Sequence, residues 1–315
     1  MNDIKVSIVC NAYNHEKYIR DALEGFVSQK TNFKFEVLIH DDASTDNTAD
    51  IIREYENKYP DIIKPIYQTE NQFSQGVRIS SEIQYPRAIG KYIALCEGDD
   101  RWIDPSKLQK QVDFLENNRN CSLVCHNSKR IDNESGEISV ENPISNQGYV
   151  SPEELIVGKK EVWLATASLV FRKEVLKYRY SFYNLSPVGD YALRLLCLAQ
   201  GDVYYIDEVM SEYNYKVPGS WSSGAWAKIN RGVFDSVEFL RKYNECTEYK
   251  YDKFINESIK IRVFANALNS GDIKQIKSDE MKELYNKISV KQKLRTYLQH
   301  YCPRILSLKS KLRKK

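Results

Sequence analysis

The stretch Lys91-Tyr-Ile-Ala-Leu-Cys-Glu-Gly-Asp-Asp100, continued by Arg101-Trp102-Ile103-Asp104-Pro105, opens as an apolar run of strand length, Tyr92 to Cys96. It then breaks at Gly98 into three carboxylates, Glu97, Asp99 and Asp100. Crowded carboxylates repel one another and are costly to desolvate, so at the end of a buried strand they are suited to holding a cation or meeting sugar hydroxyls. Asp104-Pro105 reads as a helix start, with Leu108, Val112 and Leu115 at helical spacing behind it. The acids therefore sit on a strand-to-helix turn.

The same pattern occurs upstream. Glu36-Val-Leu-Ile-His40 is a strand that runs into Asp41, Asp42 and Asp46, and Ser44 or Thr45 can cap the helix marked by Ile51, Tyr55 and Tyr59. Val6 to Cys10 forms the first strand and ends in the loop Asn11-Ala-Tyr-Asn14; Ile19, Ala22, Leu23, Phe26 and Val27 then share a helical face. Lys64 to Gln68 gives a third strand, and Ile79 to Ile89 is helical in pattern despite Pro86. Strands alternating with helices predict an α/β protein with a mostly parallel sheet covered on both faces, its acid clusters on the carboxyl edge where such sheets bind ligands.

Beyond Asn118 the alternation weakens. Cys121 to His126 and Val203 to Asp207 read as strands, Asp132 to Gly136 as a hairpin-type turn, and Gly189-Asp190 precedes an apolar helix ended by Gly201. From Ser222 onward the pattern is helical only, which places a boundary near Pro218 to Gly224: residues 1–218 form the α/β domain and 219–315 a helical extension.

With 42% hydrophobic and 28% charged residues and a net charge of +3 over 315 residues, the composition is that of a soluble globular protein and too balanced for a nucleic-acid binder. No apolar run approaches the roughly 20 residues of a membrane span, and Met1 to Lys5 lacks a signal-peptide core, which predicts a cytoplasmic protein. The seven cysteines lie mostly in apolar runs and read as reduced packing residues; Cys121, Cys125 and His126 lack the second ligand pair of a zinc finger.

Val6 to Asn14, Glu36 to Asp46 and Gly90 to Pro105 together resemble the inverting glycosyltransferases of family 2, and the similarity continues through Lys107–Leu115, Trp163–Arg172, Gly189-Asp190 and Ile206–Met210. The resemblance implies a GT-A fold, Rossmann-like with a mostly parallel mixed sheet, and transfer of a hexosyl or hexosaminyl group from a nucleotide-diphosphate donor. UDP is the expected nucleotide. Glu97-Gly-Asp-Asp100 followed by Trp102 looks like a bacterial subgroup that builds surface polysaccharides, whose acceptor would be a glycan or lipid-linked sugar.

Carried over residue by residue, the resemblance implies that Asn11 and Tyr13 lie in the nucleotide loop with Tyr13 against the base, and that Asp41 accepts from the base's ring N–H. Glu97, Gly98 and Asp99 occupy the Asp-x-Asp motif, with Asp99 the ligand of Mn²⁺ or Mg²⁺ and Glu97 nearer the ribose or sugar. Asp190 corresponds to the catalytic base, and Lys216 stands where relatives place a residue reaching the diphosphate. Four departures mark the chain: Asn11-Ala12-Tyr13-Asn14 where Pro-Thr-Tyr-Asn is frequent, Glu97 in place of an aspartate, Ser80-Ser81-Glu82 where Ala-Arg-Asn is usual, and Asn214-Tyr215-Lys216 where arginine and histidine are common. The plainer alternatives are helix caps for the Asp41 cluster and Asp190, packing for Tyr13 and a solvated Lys216. His15, His40 and His126 read as structural.

The chain after Val290 carries nine lysines and arginines and no acid, interleaved with Leu294, Tyr297, Leu298, Tyr301, Ile305, Leu306 and Leu308. Such a segment reads as attachment to an anionic membrane surface, with a solvated closing helix as its alternative. The competing reading for the whole chain is a catalytically degenerate glycan-binding or scaffold subunit of a synthase complex.

Overall fold

The computed structural model describes residues 4–142, 147–158, 163–178, 180–186, 188–218, 220, 222–223 and 237–301. It divides into two compact units, residues 1–179 with 190–224, and residues 180–189 with 225–315.

The first unit is built on a ten-stranded sheet. Its strands are β1 (Ile4–Ala12), β2 (Lys34–Asp41), β3 (Ile63–Tyr67), β4 (Tyr92–Leu95), β5 (Arg101–Trp102), β6 (Cys121–Asp132), β7 (Ile138–Val140), β8 (Gly148–Tyr149), β9 (Val170–Arg172) and β10 (Asp202–Tyr215). The order is β3-β2-β1-β4-β9-β6-β10-β5, with β7 on β6 and β8 on β10. The β3-β2-β1-β4 half is parallel; β9 runs against both β4 and β6, and β10 is parallel to β6. Strands β1, β2, β4, β6 and β10 therefore all end at one edge.

Helices α1 (Ile19–Val27), α2 (Thr48–Lys58), α3 (Tyr85–Arg87), α4 (Lys107–Asn117), α5 (Pro152–Val157) and α6 (Gly189–Gln200) accompany the sheet. The strands place Val6, Ile8, Val37, Ile39, Tyr92 and Ala94 in a continuous core with Leu23 and Phe26 of α1 and Leu108, Val112 and Leu115 of α4. Close approach of α1 to β5 needs Gly25, where a Cβ would stand 2.8 Å from the Trp102 carbonyl oxygen. Trp102 is further pinned by its indole N–H donating to the Ala167 carbonyl at 2.8 Å.

Two local expectations are corrected. The segment expected to be helical over Ile79 to Ile89 is helical over Ile79–Arg87, but as a wide π-helix over Ile79–Gln84 before the single α-helical turn of α3. Pro86 lacks an amide donor, and the buried Gln84 side chain is drawn inward to the Cys10 and Leu38 carbonyls at 3.1 and 3.0 Å. The N-cap of α2 is Asn47, not Ser44 or Thr45, and it makes no side-chain cap bond; the Asp46 carboxylate before it accepts from the Thr48 N–H at 3.0 Å.

The second unit holds α7 (Val237–Cys246), α8 (Asp252–Ser270), α9 (Ile273–Ile276), α10 (Lys282–Lys287) and α11 (Val290–Tyr301). Phe182 meets Phe239 and Tyr243 edge-on at 5.7 and 5.0 Å, and Phe264, Ala267, Ile273, Ile276 and Met281 form a second cluster. Gly271 ends α8 in a left-handed conformation, φ +74°. Of the stretch expected to be helical from Ser222 onward, residues 224–236 and the basic tail over 302–315 lie outside the described residues. Among the described residues no helix is long and apolar enough to cross a membrane.

Candidate active site

The loops after β1 and β2 are clipped together at the shared strand edge. Asn14 donates its backbone N–H to Ser44 Oγ at 3.0 Å and accepts from the Thr45 N–H at 2.8 Å; the His15 N–H reaches Thr48 Oγ1 at 2.8 Å and the Glu16 N–H reaches Asp46 at 3.1 Å. Asn14 and Ala43 take positive φ, 54° and 61°, to make these turns. Tyr13 is left 43% exposed at the rim.

Asp41 and Asp42 have different surroundings. Asp42 accepts from the Gln72 and Phe73 backbone N–H groups at 2.7 and 3.0 Å, which ties the 70–76 loop to β2. Asp41 stands opposite Ala12 of β1. One of its oxygens makes a long contact with the Ser44 N–H at 3.4 Å, and the other is buried with no partner among the described residues. Burial pushes its carboxyl above the ordinary range, partly offset by Ser44. An acceptor held ready and unsatisfied is suited to meeting an N–H of a ligand.

At the end of β4 the Gly98 N–H donates to the Asn11 carbonyl at 2.9 Å, joining the acid turn to the β1 loop. A Cβ on Gly98 would lie 2.9 Å from His15 Nδ1 and 3.1 Å from both Ala12 Cβ and the Asn11 carbonyl oxygen, so the contact requires glycine. Asn11 Nδ2 donates to Ser80 Oγ at 2.9 Å, one of the residues standing where Ala-Arg-Asn is usual. The turn is gripped from β10 as well: Asn214 donates its side-chain amide to the Asp99 carbonyl at 2.7 Å and its backbone N–H to Asp100 Oδ1 at 2.9 Å.

Burial and the charge of Asp99 push the Glu97 carboxyl up to about 8; the Asn11 hydrogen bond opposes the shift and the Asp190 charge adds to it. Asp99 is raised by burial, with His15 opposing, and Asp100 is raised well above its usual range by burial and by Asp99. Tyr213 is held protonated by burial and by the charges of Asp100, Asp99 and Asp190. Trp163 packs on Tyr213 with ring centroids 4.8 Å apart.

Asp190 opens α6, which returns to the amino end of β10, so its first turn stands at the same edge as the acid turn. Its carboxylate is 3.5 Å from Arg194 on the next helical turn and 24% exposed. Asp190 thus shares an electrostatic neighbourhood with Glu97 and Tyr213. Lys216, at φ 61°, is paired with Asp132 at 2.9 Å and Glu134 at 2.8 Å, and would reach a diphosphate only by exchanging those partners.

Two residues that sequence reasoning passed over line this rim. His15 Nε2 is 4.0 Å from Asp99 Oδ2. Its place two residues after Tyr13, in the loop that also bears Asn11, was the available signal. Asn214 had only its position in a departure from the usual arginine-histidine pair. His40 and His126 are buried and lowered by that burial.

For a divalent cation the donor chemistry is suitable. Asp99 offers hard oxygens in a cluster whose raised acids a cation would return to the ionised form. Among the described residues no group of three His, Cys, Asp or Glu side chains could hold a metal by itself. Mg²⁺ and Mn²⁺ are well served by one or two carboxylates plus substrate phosphates.

Comparison with known proteins gives a consistent placement. An uncharacterized protein of Mycobacterium tuberculosis is 36% identical over 241 residues, 75% of this chain and 67% of the relative. TuaG of Bacillus subtilis, named for teichuronic acid biosynthesis, is 26% identical over 261 residues, 82% of this chain and 97% of the relative. The crystal structure of Staphylococcus aureus TarS residues 1–349 with UDP-GlcNAc superposes with a TM-score of 0.57 at 17% identity, covering 89% of this chain and 84% of that one, a likeness of fold. The sheet is that of the GT-A fold. Residues 7–178 match the family described as glycosyl transferase family 2, and the chain belongs to it.

Proposed function

We propose that this glycosyltransferase moves a sugar, with inversion, from a nucleotide-diphosphate donor to a glycan or lipid-linked acceptor in surface polysaccharide synthesis. The naming of TuaG for teichuronic acid biosynthesis supports the acceptor class, and UDP-GlcNAc on the structurally similar TarS supports a UDP-sugar. The observation that carries the reading is the convergence of acids from distant parts of the chain: Glu97 and Asp99 on the β4 turn, Asp190 at the start of α6 and the unsatisfied Asp41 at the end of β2.

In this reading Tyr13 stacks on the base and Asp41 accepts its ring N–H. Asn11 and Gly98 shape the floor, which lets the donor approach the backbone. Asp99 holds Mn²⁺ or Mg²⁺, which when bound stabilises the charge developing on the diphosphate. Glu97 meets the ribose or sugar hydroxyls. Asp190 accepts the proton of the acceptor hydroxyl as it attacks the anomeric carbon from the face opposite the leaving diphosphate, so the configuration inverts. Lys216, released from Asp132 and Glu134, reaches the diphosphate.

The experiment is calorimetric titration of UDP with and without Mn²⁺ on wild type and Asp99→Asn, followed by assay of a panel of nucleotide sugars for slow hydrolysis. Metal-dependent binding that Asp99→Asn abolishes in a folded protein supports the assignment; equal binding by both ends it. The second reading, a degenerate glycan-binding subunit, draws on Ser80-Ser81-Glu82, and predicts no metal-dependent binding of UDP. The cytoplasmic membrane face is the expected location, with α11 and the basic residues after it as the contact.

A further inference from the structure

A second concavity lies at the opposite edge of the sheet from the acid rim. It has a volume near 500 Å³, within the range of ligand-binding clefts, and its lining includes Asn117, Asn120, Tyr149 and Asp202. Asn120 precedes β6 and Asp202 begins β10, so the groove sits at the amino ends of these parallel strands. At about 3.3 Å per residue, the run of β10 from Asp202 to Asn214 separates it from the rim by on the order of 40 Å.

One wall is Tyr149, held by an aromatic cluster built from three elements. Phe114 of α4 stacks on Tyr204 of β10 with centroids 3.8 Å apart, and this pair braces Tyr149 of β8, whose ring stands edge-on to Tyr204 at 5.2 Å and 80°. Tyr149 is nonetheless 58% exposed. A braced, solvent-facing ring is an odd use of an apolar surface unless something covers it, because its two torsions are already ordered while more than half of its surface meets solvent. Beside it the floor mixes amides with opposite charges: Asn117, Arg119, Asn120 and Asp202 are exposed, while Glu116 is bound to Lys5 and Lys91.

We propose that this groove binds a neutral oligosaccharide. The electron-rich face of Tyr149 suits the polarised C–H face of a pyranose ring. Side-chain amides donate and accept, and a carboxylate accepts twice, which matches neighbouring hydroxyls that both donate and accept. Arg119 and Asp202 offset one another and Glu116 is neutralised by its two lysines, so the floor offers no net charge for an ionic ligand, and its polarity disfavours an apolar one. On the transferase reading, on which the following role rests, the bound segment is the part of a growing acceptor remote from the reacting end. Holding it raises the local concentration of that end at the rim.

The test uses saturation-transfer NMR on the full chain with maltotetraose and chitotetraose as probes, and UDP titration with Mn²⁺ on the same samples. At least one tetrasaccharide binds wild type, and Tyr149→Ala and Asn120→Ala each weaken it tenfold or more, with melting temperature and UDP affinity unchanged. Failure of both tetrasaccharides to bind wild type, or binding by both variants equal to wild type, overturns the proposal. The UDP titration reads the transferase assignment separately: tetrasaccharide binding that depends on Tyr149, without metal-dependent UDP binding, keeps the groove and removes its acceptor role.

Discussion

His15 Nε2 lies 4.0 Å from Asp99 Oδ2, while the other ring nitrogen is buried against Gly98 without a partner among the described residues. The imidazole is thus wedged between the glycine of the acid turn and the carboxylate assigned to the cation, and it opposes the upward push that burial exerts on the Asp99 carboxyl. A residue that orients a metal-binding carboxylate typically contributes 10–100-fold in metal affinity. His15→Ala is therefore expected to weaken Mn²⁺-dependent UDP binding by about that factor. Calorimetry at fixed pH measures it, and an unchanged affinity would make His15 a packing residue.

Asp190 separates binding from turnover. Its carboxylate stands 3.5 Å from Arg194 and its charge acts on Glu97. Asp190→Asn keeps the shape and removes the proton acceptor, so donor affinity should stay within twofold while transfer falls by about 10²–10⁴. Single-turnover transfer beside UDP titration distinguishes the roles. A parallel loss of both would make Asp190 a donor ligand or a scaffold.

Much of the first unit was legible because each strand is an apolar run that stops at a change of chemistry. Tyr92 to Cys96 stops at Glu97, and Glu36 to His40 stops at Asp41. What sequence could not separate was Asp41 from Asp42, since only the path of the 70–76 loop decides which carboxylate receives the Gln72 and Phe73 amides. Asn214 was equally hidden: its hold on Asp99 and Asp100 spans more than a hundred residues and depends on the register of β10. The helix over Ile79–Gln84 was legible but its wide π form was not, because a helical pattern does not report that Gln84 is pulled toward the Cys10 and Leu38 carbonyls.

Lys107 gives a pH signature. It is fully buried, 3.9 Å above the Trp102 ring, with Gln111 as its hydrogen-bond acceptor at 2.8 Å. Burial brings its pKa down to about 7 from 10.5. Below about pH 7 the ammonium is present in folded and unfolded states alike and the burial penalty is full. Between 7 and 10.5 the folded protein binds fewer protons than the unfolded chain, so this residue's contribution to stability rises with pH. Glu97, raised to about 8, acts in the opposite sense over 4.5 to 8, which is why the difference between variants must be read. Urea unfolding from pH 6.5 to 9.5 should show wild type gaining on Lys107→Met as pH rises, and a constant difference would mean that Lys107 stays charged.

Asp41 and Asp42, adjacent in sequence, should fail in opposite ways. Asp42 is 2% exposed and accepts two backbone amides from the next loop, so Asp42→Ala removes two charge-assisted, partly buried hydrogen bonds and should cost about 1–3 kcal/mol of folding stability. Asp41 is equally buried, but one oxygen has only a 3.4 Å contact and the other has none, and its raised pKa shows that the folded protein gains little by holding it charged. Asp41→Asn removes that burial penalty and should leave the melting temperature unchanged or higher. The same change replaces one acceptor by a donor that confronts the base N–H, so UDP affinity should fall by 10-fold or more, the equivalent of about 1.4 kcal/mol. Thermal melts and UDP titrations on the two variants measure both quantities. If Asp42→Ala loses UDP binding at unchanged stability while Asp41→Asn binds normally, the two carboxylates have exchanged roles and the base-recognition assignment moves to Asp42.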